Sequence, residues 1–435
     1  MKYLSTFIFV GLLAACTTEE FDNPVNTGGE RATGITIDET TFPDVNFRNW
    51  VLSQKYGKDG ILTKDEIAEV NDIGLAYEGI VSMQGIEYFT ELESLICGDE
   101  KLTTLDVSQN TKLKWLRCGQ SNLTTLDVSK NTALVDLYCS RNKLTSIDVS
   151  QNTALERLSC DDNKLTTLDV SKNTKLKYLY CYYNQLTTLD VSKNTALHTL
   201  YCNGNPLKTL DVSKNTALEN LDCYDNQLTT LDVSQNKELR NLDCWDNELT
   251  AIDFSNNPYL YSLRCYKNKL TSLDFSKNTR LGQLACNDNQ LTTINVSQCT
   301  YLETLECQGN QIGALDLTNN TKLTKLNCGS NAIKALDLSK NIALKTLSCW
   351  GNQLTALDLT ANTALTDLAI HQNTIKDAAM DAIIESLPTI TDQFLGNMHV
   401  IYDKNEQNVI TPTQIAAAKA KGWKPMYFES YWKAY

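Results

Sequence analysis

Apolar positions recur along this chain with a period of 21 residues. The unit reads LTTLDVSKNTALxxLxCxxNx and is clearest over Leu186–Pro206. Thirteen such units run from Leu102 to Thr374 without insertion or deletion. The LxxLxCxxN part of each unit alternates apolar and polar residues, the period-2 pattern of a short strand with one face inward. Over Leu197–Leu207 this places Leu200 and Cys202 inward and Thr199, Tyr201 and Asn203 outward. Repetition at this period predicts a solenoid, in which each unit buries its apolar side only against its neighbours. A chain of 435 residues would ordinarily divide into two or three domains, and the array overrides that expectation.

Several polar columns read as framework. Asn142 to Asn373 lie three residues after the inward cysteine (or Ile370) in twelve units, where the strand ends and the backbone needs side-chain partners. Asp106 to Asp358 form a second column, broken only by Asn295. Stacked carboxylates about 5 Å apart repel, so each is expected to accept a backbone N–H in an Asx-turn, a role Asn295 can share. Lys130, Lys172, Lys193 and Lys214 follow their Asp by three residues and soften the repulsion.

Cysteine marks the register: thirteen residues from Cys97 to Cys349 lie 21 apart. Parallel Cβ vectors on stacked strands do not let neighbouring sulfurs turn toward each other as a disulfide requires. The column therefore reads as small buried apolar residues. Cys299 sits off it, in a position where twelve of thirteen units carry Asn.

An array needs its two ends covered. Before it, Phe47, Trp50 and Val51 at helical spacing predict one helix. Thr63-Lys64-Asp65-Glu66 is a capping box for a second that buries Ile67 and Val70. Lys58 to Glu66 resembles the second half of an EF-hand loop, but Lys55 and Gly57 stand where calcium would need carboxylates, so the segment reads as a decayed loop kept for its shape. After the array, Asp377–Leu387 predicts a helix, Met398–Tyr402 a strand and Thr411-Pro412-Thr413-Gln414 the start of another helix. Trp423–Tyr435 is expected to pack over the final repeats.

At the amino end Lys2 and the apolar run Tyr3–Leu13 form a signal peptide too short to span a bilayer. Leu13-Ala14-Ala15-Cys16 resembles the lipobox of bacterial lipoproteins, which implies lipidation of Cys16. The acidic Thr17–Asp22 run resembles the surface-export signal of Bacteroidetes-type lipoproteins. Expected segments are residues 1–15 (signal), 16–34 (lipidated tether), 35–80 (helical cap), 81–375 (array) and 376–435 (C-terminal cap).

The 21-residue period, the Cys at the third Leu position and the Asn three residues later resemble the leucine-rich repeats of the cysteine-ladder internalins, over Leu92–Thr374. The resemblance implies an α/β-type solenoid: an arc or horseshoe with short parallel strands on its concave face, a small helical N-terminal cap and an α+β C-terminal cap. It also implies an adhesin-like, protein-binding role, without carrying over any binding residue.

Candidate ligand-binding residues are the variable, outward ones. Trp115, Tyr138, Tyr178, Tyr180, Tyr182, Tyr183, Tyr201, Tyr224, Trp245 and Tyr266 crowd into one half of the array, with Asp161, Asp162, Asp222, Asp225, Asp243 and Asp246 among them. Tyr and Trp dominate binding hot spots, although both also favour strands for their own sake. The same aromatics could stack on sugars, so a host or bacterial surface protein, a glycan, and a purely structural envelope role all remain open. The net charge of −13 lacks the basic footprint of a nucleic-acid binder. Three scattered histidines and the absence of any nucleophile, metal or phosphate motif predict neither catalysis nor a cofactor. The expected protein is a monomer on the outer membrane, held there by its lipid alone.

Overall fold

The computed structural model describes residues 34–75, 78–99, 101–391, 395–402, 406–428 and 432–434. The signal segment, Cys16 and the tether up to residue 33 lie outside the described residues.

Fourteen strands of three residues, from Ser94–Ile96 to Asp367–Ala369, begin every 21 residues. They pair in parallel with identical register. Leu179 sits opposite Leu200, and Tyr180 opposite Tyr201. One further strand, Asp72–Gly74, precedes them and pairs with Ser94–Ile96. The sheet is open: among the described residues, Asp72–Gly74 and the last strand, Trp432–Ala434, each have a single pairing partner.

The core is a stack of identical layers. Leu186, Val191, Leu197, Leu200, Cys202 and Leu207 are fully buried, and the corresponding residues repeat this in each unit. The cysteines from Cys97 to Cys349 are buried free thiols. Burial pushes them far from ionisation; Cys118 is raised to about 12. They pack as small hydrophobes, as the column predicts.

Two asparagine ladders, not one, tie the layers together. Asn205 donates to the carbonyls of Cys181 and Cys202 (3.1 and 3.0 Å) and accepts the amide of Leu186 at 3.0 Å. On the opposite side, Asn194 donates to Val170 and Asn173 carbonyls, both at 2.9 Å. This second ladder is fully buried from Asn110 to Asn362. Cys299 replaces one rung, yet its own carbonyl still accepts from Asn320 at 2.9 Å. The aspartate column forms the expected Asx-turns: Asp190 accepts the Ser192 amide at 2.8 Å, and Asn295 accepts that of Ser297 at 3.0 Å.

Both ends are covered. Helix α1 (Val45–Ser53) buries Phe47 and Val51 and is capped by Asp44. Helix α2 (Lys64–Glu69) carries the Thr63–Glu66 capping box. The carboxylate of Glu66 is held by the Thr63 amide and hydroxyl at 2.9 and 2.7 Å, so the last position of the EF-hand-like segment serves a helix cap. Beyond the array come α3 (Asp377–Ser386), the strand Gly396–Ile401, α4 (Pro412–Ala420) and the strand Trp423–Phe428. Trp423–Phe428 does not lie over the repeats as expected. It continues their sheet in parallel, and Trp432–Ala434 then turns back antiparallel as the final strand. The reason is a long-range contact: Trp423 is buried, its indole N–H donating to the Pro388 carbonyl at 2.8 Å.

Candidate binding face

Each unit presents four side chains in a row to the strand face. Two are the outer residues of the strand. Two more follow the buried cysteine, where the chain turns away. The second of these takes positive φ in nearly every unit, for example Asp162 (54°), Tyr183 (50°), Asp225 (53°) and Gly204 (63°). The exit turn thus aims this column across the face, a feature periodicity alone does not reveal. Glycine suits Gly204 for a second reason. A Cβ there would come within 2.2 Å of the Tyr183 ring, which rests on it.

The aromatic candidates separate into three places. Trp115 stands alone near the start of the array, 44% exposed, with the Lys114 ammonium 6.0 Å from its ring centre. Tyr138 leans over Gly119, whose added Cβ would meet the ring at 2.1 Å. The main group begins at the strand Tyr178–Tyr180. Tyr180 meets Tyr201 edge to face, centroids 5.2 Å apart, and Tyr182 meets Tyr183 the same way at 5.6 Å. Tyr224, Trp245 and Tyr266, one per unit, stack nearly parallel: 4.2 Å and 9°, then 4.9 Å and 8°. The hydroxyls of Tyr183 and Tyr224 approach to 3.5 Å and join the two groups. Thr199 and Asn203 face outward in register but are nearly enclosed (6% and 3% exposed). Facing the concave side is therefore not the same as reaching solvent.

One column across five strands reads Tyr180, Tyr201, Asp222, Asp243, Arg264. Arg264 donates to Asp243 at 3.0 Å. Asp222 lies one strand away. Burial, and then the charge of Asp243, push its carboxyl up to about 7, with Arg264 opposing. Burial likewise raises Asp243 against the pull of Arg264. The phenol of Tyr201 is raised to about 12 by burial and by Asp222. Three units before Asp222, Asp161 accepts from the Ser140 hydroxyl and bonds to Tyr182, and burial raises its carboxyl. Among the described residues no group of three or more His, Cys, Asp or Glu is placed to hold a metal.

Sequence reasoning missed two parts of this face. Arg157 lies over the Tyr178 ring at 4.7 Å, and Asp136 stands between Arg117 (3.6 Å) and Arg157 (4.0 Å). A second aromatic stack runs Trp350–His371–Tyr402–Phe428, with centroids 5.6, 5.5 and 4.8 Å apart. Trp350 and His371 occupy the column of Tyr224 and Trp245, so the array half was legible. Tyr402 and Phe428 come from the cap, outside the period. Burial, with His399 beside it, pushes the His371 imidazole down to about 4.

A parallel-strand solenoid with this repeat and a decorated strand face is a leucine-rich-repeat protein. Residues 174–215 match the family model for Leucine Rich repeats (2 copies). The functional domain of InlJ from Listeria monocytogenes, which includes a cysteine ladder, superposes with a TM-score of 0.78 at 37% identity, covering 86% of this chain and 83% of that one. The chain belongs to this cysteine-ladder, internalin-like leucine-rich-repeat family. An LRR protein of Leptospira interrogans (24% identity, 75% of this chain and 96% of that one, TM-score 0.66) shares the fold. So does the internalin InlF of Listeria monocytogenes (23%, 84% and 100%, 0.58). No curated protein matches in sequence.

Proposed function

We propose that the chain is a non-enzymatic, cell-surface recognition protein, anchored in the outer membrane by a lipid on Cys16. It holds a protein ligand on the aromatic and acidic stretch of its concave face between Tyr178 and Tyr266. Internalin-like repeats commonly mediate protein binding and adhesion, which supports the general role. The observation that favours protein over glycan is the stack Tyr224–Trp245–Tyr266. A sugar ring needs an open aromatic face, and these faces are largely spent on one another. What they leave toward solvent is ring edges and polar tips, held rigid beside Asp222 and Asp243. Rigid aromatics with polar handles are the anchors of protein hot spots.

The test is a binding screen of the full-length protein against extracellular-matrix and mucus-layer proteins and a glycan array. A variant with Tyr180, Tyr201, Tyr224 and Trp245 all changed to Ala serves as comparison. The expected result is a protein ligand lost by the variant and not displaced by free sugars, with single changes such as Trp245→Ala costing at least ~2 kcal/mol. Displacement by a free sugar would establish the glycan alternative. Equal binding by both proteins would move the site off this face. For the anchor, Cys16→Ser should shift the protein from the membrane to the soluble fraction; retention in the membrane would refute lipidation there.

A further inference from the structure

The edge of the solenoid where the strands begin carries a different chemistry from the strand face. Three columns meet there: the two residues corresponding to Lys237 and Glu238, and the residue just before each strand, corresponding to Arg240. Early in the array these columns neutralise themselves across neighbouring units. Lys114 pairs with Glu93 and Lys177 with Glu156, both at 2.8 Å, and Lys112 with Glu91. From residue 237 to 345 the pattern changes. The same columns hold five cations (Lys237, Arg240, Arg280, Lys322, Lys345) against three carboxylates once Glu219, the partner of Arg240 at 3.4 Å, is included with Glu238 and Glu303, a net of +2 on a chain of net charge −13.

Tyrosines alternate with these cations. Arg240 and Arg280, from the units on either side, approach the Tyr259 ring at 5.8 and 4.9 Å. Lys322 stands 3.8 Å from the ring centre of Tyr301. Arg280 and Lys322 are exposed, and neither has a carboxylate within ion-pair distance among the described residues. Tyr301 is itself 54% exposed, and Tyr261, resting on Gly282, is 41% exposed. A guanidinium laid on a ring keeps its N–H fork free and loses less freedom when it binds a planar or tetrahedral anion. Arg280 and Lys322 are two units apart in one column, roughly 10 Å at the strand spacing.

We propose that this edge, between Lys237 and Lys345, is a second binding site whose ligand is an acidic polysaccharide bearing carboxylate or sulfate groups. Two cations of one column, Arg280 and Lys322, stand free of carboxylates among the described residues at a spacing of two units, with Lys237 and Lys345 at either end of the stretch, an arrangement that suits a linear polymer with repeating charge. Tyr261 offers a ring face to a sugar. Single-stranded nucleic acid would need a succession of open ring faces for its bases, and here cations cover Tyr259 and Tyr301. The site is independent of the concave face and of the ligand proposed there.

The full-length protein is titrated with a sulfated heparin-type oligosaccharide and with polygalacturonate, against neutral dextran, a single-stranded oligonucleotide and anionic phospholipid vesicles. The expected result is binding to one or both acidic polysaccharides that weakens steeply with salt. Arg280→Ala with Lys322→Ala should reduce affinity at least tenfold. Lys112→Ala with Lys114→Ala removes the same charge from the self-paired end of the edge and should change it less than twofold. Tyr259→Ala, which alters no charge, should still weaken binding severalfold. Trp245→Ala should leave it unchanged while abolishing the concave-face ligand, so the two sites fail separately. The proposal is overturned if neither acidic polysaccharide binds, if the two double variants behave alike, or if oligonucleotide or vesicles bind more tightly than the polysaccharides.

Discussion

Single residues carry two opposite pH responses. The Asx-turn carboxylates, such as Asp190, are held below their ordinary range by the amide of Ser192 and then by its hydroxyl. A depressed folded pKa gives stability that is present above the unfolded value of about 3.9 and is lost as pH falls through the folded value. The array should therefore loosen at low pH, seen as a fall in the thermal midpoint below about pH 4. Asp222 acts in reverse. Its folded value of about 7 lies above the unfolded one, so its favourable contribution is complete below about pH 4 and gone once pH has risen through 7. Asp222→Asn should thus stabilise the protein by roughly 2–4 kcal/mol at pH 8 and change little at pH 4, measured by urea unfolding. Equal effects at both values would remove burial as the cause of the shift. The Asx-turn could be read from residue type and spacing, because an Asp two residues before a Ser amide needs only local backbone. The raised Asp222 could not, since it depends on what surrounds the residue across several strands.

At the scale of one repeat, stability rests on ladders that run between units. Asn194 supplies two buried hydrogen bonds to carbonyls of the preceding unit and is fully enclosed. Asn194→Ala should cost about 2–3 kcal/mol, since it also strands the Val170 and Asn173 carbonyls. Hydrogen exchange should show faster opening in units beside residue 194 and not at the ends. A uniform increase along the array would argue against local coupling. The natural Cys299 shows that one rung in thirteen can be missing. This ladder stands in the sequence as a column of Asn broken at Cys299, with nothing local to mark it as buried. Asn is as common in exposed turns as in buried ones, and burial is decided by how the convex side closes. The exit-turn ladder was legible because its place beside the strand leaves backbone groups with no other partner.

Across the whole molecule, contacts pass only between neighbours, so length is negotiable and ends are not. Removing one complete unit, residues 123–143, should leave a folded and slightly shorter solenoid, with circular dichroism and cooperative unfolding preserved. Truncation after residue 375 should instead expose the Asp367–Ala369 strand and produce aggregation, visible by light scattering. A stable monomer after that truncation would mean the cap is dispensable. At this scale too, charge is distributed by face: acids with aromatics on the concave side, and a cationic edge from residue 237 onward. A net charge of −13 averages these away.

By itself the sequence determined the 21-residue solenoid, its parallel strands and register, the buried cysteine column, the Asx-turns and the helices α1 to α4. Each of these follows from local pattern repeated with a fixed period. It also marked which residues face the concave side. Only the tertiary structure decided which of those stack, which are enclosed and which stand apart. Tyr224 and Trp245 are 21 residues apart and Arg240 and Tyr259 are 19 apart, and nothing local brings either pair together. The cap strand Trp423–Phe428 joined the sheet for the same reason: the burial of Trp423 depends on Pro388, far away in the chain. Period sets the lattice, and side-chain packing across units sets what the lattice displays.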